Sequence, residues 1–411
     1  MSGRVEIVTF GCRLNAYESE AMREAAQLSE HEHMVIVNTC AVTGEAERQA
    51  RQAIRKLRRE NPGATIIVTG CAAQTNHEVF AAMPEVDRVL GNRSKLDPLI
   101  LLGSEKLVLD DMREIREQAG HLLSGFEGRA RAFVQIQQGC DRDCTFCVIP
   151  SARGPSISLP AGRIVEEIGG LVTRGWKEIV LTGVDIASWG SDLPGSPTLG
   201  GLVRRLLSLV ADLPRLRLSS LDPAACDDEL LTVLANEQRL LPHLHLSIQS
   251  GGDMTLKRMK RRHSREDVLS LVARVRAIRP DIALGADLIA GFPTESEEDF
   301  AATLSLIEEC GLSHIHVFPY SARKGTSAAR MPQLPMSVRK ERAACLRAAG
   351  DKVMRKLMES LIGGEVEVLV ERDNRGHCRH FLPVQLVGEY EPGTIVKANV
   401  QEINEGVLIA K

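Results

Sequence analysis

No apolar run in this 411-residue chain approaches the length of a membrane span, and no membrane contact is expected. The opening Met1-Ser-Gly-Arg-Val-Glu-Ile alternates like a strand instead of reading as a secretory leader, so a cytoplasmic location is expected. Strong charge of one sign is also missing. The formal net charge of −3 excludes a uniformly basic nucleic-acid binder and leaves any RNA contact to local patches. There is no internal repeat, low-complexity run or long linker. The rest is ordinary for a globular protein, with 44% hydrophobic and 26% charged residues and a length that suits two or three domains.

The ten cysteines are the exception. In a reducing compartment thiols bind metal more often than they form disulfides. Six sort into two sets of three: Cys140, Cys144 and Cys147 in one loop, and Cys12, Cys40 and Cys71 spread along the first hundred residues. Three thiolates are one short of the four that normally hold a [4Fe–4S] cluster, so one iron of each would stay open. Cys226, Cys310, Cys345 and Cys378 show no comparable pattern.

The organisation expected is α/β. Short apolar runs at Val5–Thr9, Met34–Val37 and Thr65–Val68, each followed by a helical pattern (15–29, 45–60, 72–82), predict a parallel sheet with helices on both faces, within a domain over 1–125. Cys12, Cys40 and Cys71 each lie just past a strand end, the edge where open α/β sheets bind ligands, so the three can converge. A second alternation over 126–358 predicts a partial (β/α) barrel. Its strands are expected at Ala132–Gln137, Glu178–Leu181, Leu216–Leu218, Leu244–Ile248, Ile282–Leu288 and His314–Val317. The Cys140 loop follows the first of these. After a charged helix over 337–360, a tail over 359–411 reads as a small all-β barrel of OB-like kind, with strands at Glu365–Val370, Pro383–Val387, Thr394–Val400 and Val407–Ala410.

A zinc site would more often show two Cys-x2-Cys pairs or added histidines. The lone Cys140-x3-Cys144-x2-Cys147, with Phe146 before the last thiol, closely resembles the radical-SAM superfamily signature. Such loops hold a cluster whose open iron binds S-adenosylmethionine. One electron then cleaves the cofactor to a 5′-deoxyadenosyl radical. Gly183, Asp185, Asp222, Gln249 and Asp287, at or near the following strand ends, are candidate cofactor contacts together with Phe146.

Almost the whole chain then resembles the radical-SAM methylthiotransferase family. Phe10-Gly-Cys12-Arg-Leu-Asn15-Ala-Tyr17-Glu18-Ser19, Asn38-Thr-Cys40-Ala-Val-Thr43 and Val68-Thr-Gly-Cys71-Ala-Ala-Gln74 match its first domain, and His316-Val-Phe-Pro-Tyr320-Ser matches the end of its core. The resemblance implies a C-terminal TRAM domain, two [4Fe–4S] clusters and S-adenosylmethionine, with the auxiliary cluster at Cys12, Cys40 and Cys71 carrying the sulfur. It also implies a reducing protein such as flavodoxin or ferredoxin, and a monomer. Arg13-Leu14-Asn15 followed by Tyr17-Glu18-Ser19 is similar to the branch that methylthiolates carbon 2 of threonylcarbamoyladenosine beside the tRNA anticodon. The branches acting on isopentenyladenosine or on a ribosomal-protein aspartate are the alternatives. A non-catalytic iron–sulfur RNA sensor is the alternative of another class.

Arg48, Arg51 and Arg55 recur at helical spacing, and Lys257, Arg258, Lys260, Arg261 and Arg262 form a denser run. Both are candidate phosphate contacts, against the plainer reading of a solvated helix surface. The substrate's anionic side group calls for a cation, and Arg13 and Arg153 are candidates by position. The tail counts five Lys/Arg against eight Asp/Glu over 361–411, a net of −3, and has only Phe381 and Tyr390 as aromatics, so extensive base stacking is not expected there.

Overall fold

The computed structural model describes residues 5–27, 33–116, 123, 125–126 and 128–411. Its first sheet runs β1 (Val5–Thr9), β2 (Met34–Thr39), β3 (Thr65–Gly70), β4 (Arg88–Leu90) and β5 (Leu107–Val108), in that order and all parallel. The three predicted strands are present. β4 and β5, with three and two residues, are additions too short to carry a period. Buried on both faces, β2 reads as continuous apolar residues up to Val37. The helix Gly44–Glu60 starts where Thr43 accepts from Ala46 N at 3.1 Å, with Glu45 and Glu47 in its first turn and Arg58 and Arg59 in its last. The helix expected over 72–82 is instead two short ones, Cys71–Thr75 and His77–Ala81, broken at Asn76, whose φ/ψ of −138° and 35° is not helical. The end of the helix expected over 15–29 lies partly outside the described residues; the observed helix is Arg13–Gln27.

In the core, β6 (Ala132–Gln135) is followed by a small hairpin, β7 (Gln137–Gln138) with β8 (Ile157–Ser158). The remaining barrel strands are β9 (Glu178–Thr182), β10 (Arg215–Leu218), β11 (His243–Gln249), β12 (Ala283–Ala290) and β13 (Leu312–Pro319). They form two parallel three-stranded sheets, β10-β9-β6 and β11-β12-β13, linked by the single bridges Leu216–Leu240 and Leu221–Leu246. The helices Ala161–Thr173, Leu199–Leu209, Asp228–Asn236, Arg265–Ile278 and Glu297–Glu309 match the helical patterns at 161–173, 200–210, 227–236, 265–278 and 296–309 that the sequence places between the barrel strands. Ala16, Tyr17 and Ala21 of the first helix share one apolar cluster with β6, β9 and β12, so the N-terminal unit is packed into the barrel core.

The helix Met336–Glu359 ties the barrel to the tail: Ala343 and Leu346 are in the barrel core, and Met358 is in the core of the tail. The tail is a closed barrel in the order β14-β15-β16-β18-β17, from β14 (Glu365–Val370), β15 (Arg375–Cys378), β16 (Pro383–Leu386), β17 (Ile395–Asn404) and β18 (Val407–Ala410). Its fold is as expected, with β15 as the strand not foreseen. No helix among the described residues is long and apolar enough to cross a membrane.

Candidate metal centres and the helix between them

Cys12, Cys40 and Cys71 follow the carboxyl ends of β1, β2 and β3, and close backbone packing brings these loops together. Gly11, at φ +99°, has no room for a side chain: a Cβ would lie 2.8 Å from Cys40 Cβ and 3.0 Å from its Sγ. Gly70, at φ +97°, would press a Cβ to 2.4 Å from the backbone of Thr39. Asn15 crosses the gap, donating to Phe10 O (2.8 Å) and Thr39 O (3.0 Å), while Thr39 Oγ1 donates to Thr69 O at 2.6 Å. Cys71 Sγ accepts from Arg153 Nε (3.2 Å) and Asn92 Nδ2 (3.7 Å). Burial raises the Cys40 thiol to about 11, with Cys71 and Cys12 near enough to add to the shift.

Behind this triplet lies a buried ionic group. Glu18 accepts from Arg153 Nη1 (2.7 Å) and Lys95 Nζ (2.6 Å), and all three side chains are at most 2% exposed. Burial pushes the Glu18 carboxyl up, but Arg153 and Lys95 outweigh it and hold it down at about 2. Glu18 is the carboxylate these two cations share, so Glu18→Leu would leave both uncompensated. We expect a loss of about 3–5 kcal/mol at neutral pH, read from the urea midpoint. Because the folded-state pKa is depressed, this contribution is present above the unfolded value of about 4.3 and is lost as pH falls through about 2. The difference between wild type and variant should therefore shrink with acid. A constant difference across that window would count against the ionic account.

Arg153 is thus corrected from a free cation to a brace. It is 2% exposed and fully engaged by Glu18, Asn15 and Cys71. The parts played by Glu18, Asn92 and Lys95 were missed. Asn15 and Glu18 lie in the quoted motif, but nothing near Asn92 or Lys95 in sequence announced theirs.

The second triplet sits in the loop after β7. Sulfur-directed backbone bonds shape it: Arg142 N to Cys140 Sγ at 3.4 Å and Ile149 N to Cys147 Sγ at 3.5 Å, with Cys147 N bonded to Cys144 O at 3.1 Å. Arg261 Nη1 reaches Cys144 Sγ at 3.6 Å. Burial pushes the Cys140 thiol to about 11 and Cys147 to about 12, so both stay protonated until a metal takes the sulfur.

Both sets suit a cluster better than one ion. Among the described residues, the only three potential ligand atoms within 4.8 Å of one another belong to His245, Asp287 and His316. Neither thiol triplet is therefore drawn in as tightly as four ligands about 2.3 Å from a single zinc would be. Three thiols with N–H donors on the sulfurs are a set that could hold an iron–sulfur centre.

One helix, Ile149–Arg153, joins the two sets. It begins two residues after Cys147, and its last residue is the Arg153 that touches Cys71. Asn92 clamps it from the first domain by donating to Ala152 O at 2.6 Å. Five helical residues span about 7–8 Å, so this one short helix separates Cys147 from the arginine that touches Cys71.

The other candidates divide. Asp185 and Asp222 come to the cysteine loop, where Arg142 donates to them at 2.6 and 2.5 Å and Arg261 to Asp222 at 2.9 Å. Burial raises the Asp222 carboxyl, but a His263 hydrogen bond with Arg261 and Arg142 holds it well below the usual range. Asp287 is bonded to His245 Nε2 and His316 Nδ1, each at 3.1 Å. Phe146 packs edge-on to Phe292, with centroids 6.4 Å apart. At Gly183 a Cβ would lie 2.6 Å from Gln137 O, so the close approach of two strand ends accounts for that glycine. Gln249 ends β11 half-buried with φ +71°.

Of the second basic run, Arg261 faces inward to Asp222, and Arg258 donates to Thr294 O at 2.8 Å. These two are corrected from phosphate contacts to internal anchors. Lys257, Lys260 and Arg262 are exposed, Lys260 beside Asp143 at 2.5 Å. In the first cluster, exposed Arg48 pairs with Glu45 at 2.6 Å, exposed Arg55 lies 3.9 Å from Glu85, and Arg51 is half-buried. Phe381 of the tail is stacked on His377 at 4.6 Å and lies against His243 and His314 of the barrel, with ring centroids 5.4 and 6.3 Å away.

Comparison with known proteins agrees with this arrangement. Residues 134–307 match the radical SAM superfamily and residues 4–91 the uncharacterized protein family UPF0004. Threonylcarbamoyladenosine tRNA methylthiotransferase MtaB of Rickettsia prowazekii is 51% identical over 98% of this chain and 96% of its own length. A tRNA-2-methylthio-N(6)-dimethylallyladenosine synthase of Cereibacter sphaeroides is 39% identical over 93% and 89%. The radical S-adenosylmethionine methyltransferase TsrM from Kitasatospora setae shares the fold, with a TM-score of 0.55 at 15% identity over 80% of this chain and 77% of that one. Two thiol triplets meeting across one helix, on a radical-SAM barrel with a relative this close over its full length, leave no place for the non-catalytic sensor: the chain belongs to the radical-SAM methylthiotransferase family, enzymes that use S-adenosylmethionine and iron–sulfur clusters.

Proposed function

We propose that this enzyme adds a methylthio group to carbon 2 of threonylcarbamoyladenosine in tRNA. The observation that carries the reading is the short helix Ile149–Arg153, which starts two residues after Cys147 and ends on the arginine bonded to Cys71, and so ties the two thiol triplets together. When bound, the cofactors supply a radical able to activate an unreactive C–H bond and a methylated sulfur to replace the hydrogen. The chain's own residues do the rest. Cys140, Cys144 and Cys147 hold one cluster, and Cys12, Cys40 and Cys71 hold the other. Arg142 and Arg261 fix the first loop against Asp185 and Asp222, while Arg153 and Asn92 fix the second against the first. Phe146, Gly183, Gln249 and Asp287 are candidate contacts for S-adenosylmethionine.

The domains are 1–125, 126–358 and 359–411. We assign the phosphate contacts to the exposed cations Arg48, Arg55, Lys257, Lys260 and Arg262. A flavodoxin or ferredoxin supplies the electron to a monomeric enzyme in the cytoplasm. The substrate branch is supported by Arg13-Leu14-Asn15 after the first cysteine and by the name of the Rickettsia relative.

The test is nucleoside mass spectrometry of tRNA from cells lacking the gene. We expect the methylthio mark to vanish from threonylcarbamoyladenosine and to persist on isopentenyladenosine. Loss of the isopentenyl mark instead would move the chain to the other tRNA branch, the one for which the Cereibacter relative is named. Loss confined to a ribosomal-protein aspartate would remove tRNA as the substrate.

A further inference from the structure

Four arginines gather around Phe381 of the tail: Arg131 just before β6, Arg215 and Arg217 on β10, and Arg13 at the start of the first helix. Guanidinium carbons of Arg217, Arg131 and Arg13 lie 4.7, 5.1 and 5.6 Å from that ring's centroid, and Arg215 adjoins them through Glu178. Three of the four have carboxylates. Arg217 pairs with Glu178 at 3.0 Å, Arg131 with Glu371 at 2.5 Å, and Arg215 with Glu367 at 3.0 Å. Arg13 is the exception. Among the described residues its guanidinium makes no hydrogen bond or ion pair, and Phe381 is the group it rests on.

The anions within electrostatic reach of Arg13 are already engaged. Glu178 is shared by Arg131, Arg215 and Arg217, and Asp287 is held by His245 and His316. A half-buried cation with five donors and no acceptor is costly unless something else supplies one. The other candidate cation, Arg153, is spent on Glu18.

We propose that Arg13 binds the carboxylate of the substrate's N6 side group and so selects this adenosine over one with a neutral side group. The inference rests on the threonylcarbamoyladenosine reading. That side group ends in a free carboxylate, whose two oxygens match the guanidinium fork. Carbon 2 and carbon 6 of adenine flank the same ring nitrogen. A base whose carbon 2 faces the thiol set containing Cys12 therefore carries its N6 substituent toward the neighbouring part of that loop, where Arg13 is the next residue. A neutral alkenyl group in the same place would leave Arg13 unpaired, and that penalty against the wrong substrate adds to the gain with the right one.

The test uses reconstituted full-length enzyme and two synthetic anticodon stem-loops, one carrying threonylcarbamoyladenosine and the other its carboxyl methyl ester. Wild type should favour the acid by about 10- to 100-fold in kcat/KM, the worth of a charge-assisted pair. Arg13→Gln, at unchanged iron content, should lose rate on the acid and treat the two RNAs alike to within about threefold. Arg13→Lys should keep part of the preference, since an ammonium retains the charge but not the fork. It carries the test if Arg13→Gln fails to hold iron, and an undiminished ratio in it would then overturn the proposal. Arg13→Gln with the wild-type ratio, or a wild type indifferent to the ester, overturns the role of Arg13 alone. A wild type that modifies neither RNA overturns the substrate reading and this inference with it.

Discussion

Replacing Cys140, Cys144 and Cys147 with alanine should abolish reductive cleavage of S-adenosylmethionine and halve the iron of anaerobically reconstituted protein, from about eight to about four per chain. The loss should be complete, because the loop's own carboxylates are engaged: Asp141 accepts from Ser156 N at 3.0 Å and Asp143 pairs with Lys260 at 2.5 Å. The carboxylates beside it, Asp185 and Asp222, are already bonded to Arg142, and the cation nearest Cys144 is Arg261. The first domain should be unaffected, since its contacts to this loop run through Asn92 to Ala152 O and Arg153 to Glu18, not through the three sulfurs. The measurement is 5′-deoxyadenosine by mass spectrometry after addition of dithionite. A triple variant that still produces it would overturn the assignment of this loop.

The opposite substitution should separate two activities. With Cys12, Cys40 and Cys71 changed to alanine, 5′-deoxyadenosine should still form, while methylthiolated nucleoside falls below detection. The barrel loop is anchored by Arg142, by Arg261 and by the bond from Thr145 N to Met259 O, none of which involves the first triplet. The principal risk to this separation is Arg153, which donates to Cys71 and terminates the helix behind Cys147. Its bonds to Glu18 and Asn15 survive the substitution, so the helix should keep its place. Iron should again fall to about four per chain, now from the other centre. If methylthio product persists, the sulfur does not come by way of this triplet. If cleavage and product are lost together with all iron, the two centres are structurally inseparable.

Much of this chain was legible in one dimension because its signals are local. The spacing of Cys140, Cys144 and Cys147 fits within a single loop. The strand runs of the first sheet and barrel are apolar in blocks, since parallel strands covered on both faces have no polar side to alternate with. Elements without such a signal were missed: β4 and β5 have three and two residues, too few to show a period, and β15, Arg375-Gly-His-Cys378, has no apolar run. The break at Asn76 is a single non-helical residue inside a stretch whose composition favours a helix.

What the sequence determined by itself was the kind of fold and the grouping of six thiols into two candidate donor sets. Only the tertiary structure decided which charged residues serve which end. Arg13 and Arg153 look equivalent in the sequence, each a lone arginine near a cysteine set. Folding places Arg153 against Glu18, an acid 135 positions earlier, and leaves Arg13 over Phe381 without a hydrogen-bond or ion-pair partner among the described residues. The same holds for Arg258 and Arg261, which belong to an apparently uniform basic run yet turn inward to Thr294 and Asp222. A charge is assigned by whichever opposite charge shares its low-dielectric surroundings, and that partner is set by long-range packing, which no local pattern of residues encodes.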